Sequence, residues 1–65
     1  MTFTEYERLL NYLGNKHTDQ FIKYQYSLVR GELKIEKERI ALISEEKHQE
    51  FLMAIDKWKI DNSLL

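Results

Sequence analysis

Ile22, Tyr26, Val29, Leu33, Glu36, Ile40 and Ile43 follow one another at alternating intervals of four and three residues, and only Glu36 among them is polar. That is the spacing of a heptad seam, which gathers side chains along one side of an α-helix. Gly31 falls inside the run without breaking its register. A glycine within a helix costs about 1 kcal/mol relative to alanine, which six in-phase apolar residues outweigh. The spacing therefore predicts one long helix over 19–42. The competing division ends a helix at Arg30 with Gly31 as its cap, and leaves the seam unexplained. A strand over 32–43 fits worse, because Leu33 and Ile35 are followed in phase by Lys37 and Arg39.

Shorter helices flank this segment. Thr4 followed by Glu7 has capping-box spacing, and Thr2 followed by Glu5 offers the same one turn earlier. Tyr6, Leu9, Leu10 and Leu13 then share a face, and Gly14 stands where a helix C-cap favours positive φ, so a helix is expected over 3–13. Ser44 is a good N-cap, with Glu45 and Glu46 at the positive end of the dipole. His48, Phe51, Leu52, Ile55 and Trp58 form an apolar face, and Lys57 and Lys59 suit the last turn, so a helix is expected over 45–60. Asp61, Asn62 and Ser63 end it, leaving Leu64 and Leu65 as a tail. The expected fold is all-α: one domain, 1–65, built as a three-helix bundle or hairpin with a long middle helix and open to completion by self-association.

A chain of 65 residues holds a single small core, and such a core rarely supplies more than about 3–5 kcal/mol by itself. With no cysteine, disulfides and thiolate zinc sites are excluded. No apolar run approaches the roughly 18–20 residues of a membrane span, and the opening residues lack the basic start and apolar stretch of a signal peptide. A soluble, cytoplasmic protein without membrane contact is the expectation. Its net charge of −1 gives no overall basic excess for phosphate binding. At 43% hydrophobic it is too apolar for disorder.

Catalysis finds no support in the residues. A nucleophile would come from Ser27, Ser44, Ser63 or a threonine, with His17 or His48 as base, but Ser44 reads as a cap and His48 lies on an apolar face. Glu32, Glu36, Glu38, Glu45 and Glu46 read as solvated helix charges beside lysines and arginines. Glycine-rich phosphate loops, HExxH and calcium-loop spacings are absent. No enzyme activity, cofactor or metal site is expected.

The width of the middle helix is more informative. Phe21, Tyr24, Leu28, Ile35 and Leu42 occupy the arc beside the seam, and together the two arcs span roughly 200°, about twice the stripe of an ordinary surface helix. Either the two shorter helices flank it on both sides in a compact bundle, or part of that surface is left for another chain: a second copy in a homodimer, or a larger protein that this one regulates or inhibits. Tyr24, Leu28, Ile35 and Trp58 are the candidate partner-binding anchors, being large apolar residues of the kind that dominate interface energetics. The alternative is a nucleic-acid binder. Lys23, Arg30, Lys34 and Lys37 would fall within about 60° on the remaining face of such a helix, over roughly 21 Å, with Tyr12 or Tyr24 for base stacking. A DNA-reading helix-turn-helix fits poorly, since Glu45 and Glu46 at the start of the last helix would repel phosphates.

Thr2-Phe3, Leu9-Leu10 and Gly14, with Leu42-Ile43-Ser44-Glu45 and Ala54, resemble the opening and the second helical junction of the small YqgQ-like proteins of Gram-positive bacteria. The resemblance covers about a third of the chain and implies a three-helix layout, with no activity attached. The proline-free composition, rich in Lys, Glu and Ile, would also suit a small phage or mobile-element protein.

Overall fold

Residues 24–37, expected within one helix, form a β-hairpin. The computed structural model describes residues 1–39 and 42–63. Its elements run α1 (Phe3–Lys16), α2 (Thr18–Phe21), β1 (Tyr24–Val29), β2 (Glu32–Lys37) and α3 (Glu45–Asp61). The fold is thus mixed α and β, not all-α, and the three-helix layout and the long helix over 19–42 are both replaced. Ile40, one member of the seam, and the Leu64–Leu65 tail lie outside the described residues.

The hairpin follows from a shorter period than the heptad. Tyr24, Tyr26 and Leu28 alternate with Gln25 and Ser27, and Leu33 and Ile35 alternate with Glu32, Lys34 and Glu36, which is the pattern of two half-buried strands. Between them, Arg30 has φ 52° and Gly31 has φ 79°. Positive φ at both central residues makes a type I′ turn, whose twist matches that of the paired strands. The antiparallel register sets Tyr24 opposite Lys37, Tyr26 opposite Ile35 and Leu28 opposite Leu33 on one face. Gln25 faces Glu36 and Ser27 faces Lys34 on the other, and all four are exposed. β2 ends at Lys37, where the alternation stops, and is therefore shorter than the strand over 32–43 that Lys37 and Arg39 disfavour.

α1 begins on the earlier of the two capping boxes. The Thr2 hydroxyl accepts from the Glu5 N–H at 3.2 Å and the Thr2 N–H donates to the Glu5 carboxylate at 2.7 Å. It runs through Gly14 rather than ending there, reaching Lys16 with His17 as C-cap. The Phe21 ring lies over Gly14, 3.6 Å from where a Cβ would stand, and the Thr18 hydroxyl donates to the Gly14 carbonyl at 2.7 Å. At α3, the Ser44 hydroxyl accepts from the Lys47 N–H at 3.2 Å.

The core is small. Leu9 and Leu13 of α1, Tyr24 of β1, and Phe51 and Ile55 of α3 are buried, and Tyr12, Phe21, Tyr26, Leu33, Ile35 and Trp58 pack partly buried around them. Both long helices therefore meet the apolar face of the hairpin while its polar face stays in water, as one-sided antiparallel sheets do.

Candidate functional site

A row of rings runs through the centre of the molecule. Tyr24 stacks on Phe51 with centroids 4.5 Å apart, and Phe51 meets the edge of His17 at 6.4 Å, which in turn meets Tyr12 at 5.8 Å. At the other end, the Tyr24 hydroxyl lies 2.8 Å from Nδ1 of His48. Burial, reinforced by the charge of Glu45, pushes the Tyr24 phenol up from its usual range, so Tyr24 keeps its proton and hydrogen-bonds Nδ1 as a neutral phenol. A second tyrosine is satisfied locally: Tyr26 stacks on Phe21 at 4.9 Å and donates to its carbonyl at 2.9 Å. Burial, then the neighbouring Tyr24, raises its pKa strongly.

Beside this row lies an open groove of about 680 Å³. One wall comes from the end of α1 and from α2, including Lys16, His17, Asp19 and Lys23; the other comes from Leu42, Ile43 and the first turns of α3. Gln20 spans the walls, donating from its side chain to the Lys47 carbonyl at 3.4 Å. Lys16, Lys23 and Lys47 bring three positive charges, which Asp19 and Glu50 largely offset, and the Lys47 ammonium lies 3.4 Å from Glu50. A groove so balanced has no strong preference for anions. Its apolar lining comes from Leu42, 92% exposed, and Ile43, which packs partly buried against the core.

Among the described residues, neither histidine ring shares a hydrogen bond with a serine or threonine hydroxyl, and no group of three His, Asp or Glu could hold a metal ion. His48 instead anchors Tyr24, and Ser44 is engaged as a helix cap.

The anchors named from sequence occupy quite different places. Tyr24 is 5% exposed and belongs to the core, so it offers no docking surface. Leu28 and Ile35 lie half-buried on the inner face of the hairpin, and Trp58 packs against the core from α3. The basic stripe has no helix to lie on. Lys23 lines the groove, Arg30 sits in the turn, and Lys34 projects from the outer face of β2, its ammonium 3.4 Å from Glu32. Lys37 lies opposite Tyr24 at the end of β2. Sequence reasoning missed the Tyr24–His48 pair and the groove, because both depend on a hairpin that folds residue 24 back against residue 48. The alternation from Tyr24 to Leu28 was the available signal.

No family model, curated protein or solved structure matches this chain. Among the described residues, no helix is long and apolar enough to cross a membrane.

Proposed function

We propose that this protein is a small, non-enzymatic interaction module that acts by binding a larger protein, as its regulator or inhibitor. The supporting observation is an imbalance in its apolar side chains. Among the described residues, five are buried in the core, while six large ones (Phe3, Ile22, Val29, Leu42, Met53 and Ile60) are between 47% and 92% exposed. A monomer of this size gains more from burying such residues than from displaying them. Single exposed apolar residues are ordinary, but Met53 and Ile60 share one side of α3. They are seven residues, about 10 Å, apart, and point away from the side that buries Phe51 and Ile55. The side of α3 opposite the core thus displays two large apolar residues among the polar Gln49, Asp56 and Lys57, and isolated large side chains of this kind serve as anchors in protein interfaces.

The test is photo-crosslinking from position 53 in an extract of the source cells. A discrete adduct of defined mass, lost when Ile60→Asp is added to a protein that still folds, supports the reading. Absence of any adduct competed by unlabelled protein overturns it.

A further inference from the structure

We infer that a second copy of this chain docks on the free edge of β2, joining the two hairpins into one four-stranded antiparallel sheet. Among the described residues the sheet has two strands, paired with each other, so the outer edge of each is unpaired and able to template another strand. The alternation of the ladder shows which backbone groups remain open. The Glu38 N–H donates to the Lys23 carbonyl at 2.8 Å, so residues 23 and 38 form a hydrogen-bonded pair. Stepping by two along the register, Gln25–Glu36, Ser27–Lys34 and Val29–Glu32 also direct their groups inward. The N–H and C=O groups of Leu33, Ile35 and Lys37 therefore point outward, and among the described residues no backbone bond from outside the hairpin reaches them.

These three residues are symmetric about Ile35. A two-fold axis there sets Ile35 against Ile35 of the second copy, and Leu33 against its Lys37 in both directions, giving six N–H···O=C bonds. On the exposed face, the same axis sets Lys34 opposite Glu36 of the second copy, twice. Opposite charges directly across a ladder are stabilising. On the other face, half-buried Ile35 and Leu33 extend the apolar surface across the junction, with the Lys37 stem lying over Leu33 and its ammonium in water. Other registers are poorer. Centring on Lys37 opposes like charges, Lys37 to Lys37 and Glu36 to Glu38; centring on Leu33 runs into the turn after three residues; a slip of one residue turns the apolar face over. The edge of β1, centred on Tyr26, would oppose Gln25 to Ser27 with no charge pairing.

This inference goes beyond the proposed function, and it uses neither Met53 nor Ile60. Sedimentation equilibrium over micromolar to millimolar concentration is the test, with four proteins compared and folding of each followed by circular dichroism. A monomer–dimer equilibrium is expected, weakened about tenfold by Lys34→Glu and restored when Glu36→Lys is added to it. N-methylation of Ile35 in synthetic protein should abolish the dimer without unfolding the monomer, because that N–H faces solvent in the single subunit. A wild-type protein that stays monomeric at 1 mM overturns the inference. So does a dimer indifferent to Lys34, Glu36 and the Ile35 N–H; if that dimer is instead lost with Met53→Asp, self-association belongs to α3.

Discussion

The hydroxyl of Tyr24 hydrogen-bonds Nδ1 of His48 across 2.8 Å, and the two rings lie within 13° of parallel. The pair joins β1 to the second turn of α3 at the point where the stacked Tyr24–Phe51 rings enter the core. Removing only the hydroxyl, as in Tyr24→Phe, keeps the stacking and leaves Nδ1 of His48 without its hydrogen-bond partner. The expected cost in urea unfolding is about 1 kcal/mol, against about 3–5 kcal/mol for Tyr24→Ala, which also empties the core site.

The two glycines should respond to alanine with opposite signs. Gly14 lies inside α1 at negative φ, and an added methyl would meet the Phe21 ring at an ordinary 3.6 Å, so Gly14→Ala should gain up to about 1 kcal/mol. Gly31 is held at φ 79° in the turn, so Gly31→Ala should lose about 1–2 kcal/mol. A long helix through residue 31 requires the reverse result at Gly31, and thermal unfolding of the two variants separates the cases.

Arg30 is the strained member of the same turn. Its φ of 52° is one that asparagine adopts more readily, and Asn-Gly is the favoured pair for type I′. Arg30→Asn should therefore stabilise the protein by a few tenths of a kcal/mol up to about 1, read as an increase in the urea midpoint at unchanged slope.

Acid and alkali should both destabilise the protein, for separate reasons. Hydrogen bonds from the Thr2 backbone and hydroxyl hold the Glu5 carboxyl below its ordinary 4.5. This contribution is present above that value and disappears as pH falls through the folded-state pKa. Thr2→Ala should flatten the acid limb and cost about 1 kcal/mol at neutral pH. At the other end, burial raises both Tyr24 and Tyr26 above 10.0. The unfolded chain releases those protons near pH 10 while the folded chain retains them, so stability is full below pH 10 and declines above it. Tyr26→Phe should blunt that decline in unfolding curves measured between pH 9 and 11.

The terminal helices were legible because each carries agreeing local signals. Thr2 and Glu5 box the start of α1, Ser44 caps α3, and Leu9, Leu13, Phe51 and Ile55 fall on the predicted inward faces. The middle was misread because its residues satisfy two periods at once. Ile22, Tyr26, Val29 and Leu33 are in heptad phase, yet Tyr24, Tyr26, Leu28, Leu33 and Ile35 are the ones the hairpin turns inward. Ile22 and Val29, half of the first two heptads, are left 70% and 47% exposed. What decided between the periods was two consecutive residues able to adopt positive φ, and Arg-Gly is a weaker turn signal than Asn-Gly. The groove and the Tyr24–His48 contact follow from that turn, so neither could be read before it was recognised.

Leu13 and Phe51 are both wholly inaccessible to water, although most of the chain separates them, and Tyr24 is the ring against which the two long helices meet. Neither half of the chain can assemble this interior alone, since each brings only part of a five-residue nucleus. The molecule should therefore melt in a single cooperative step, and a cut at the Arg30–Gly31 bend should yield two pieces that are unstructured apart and regain order only when mixed.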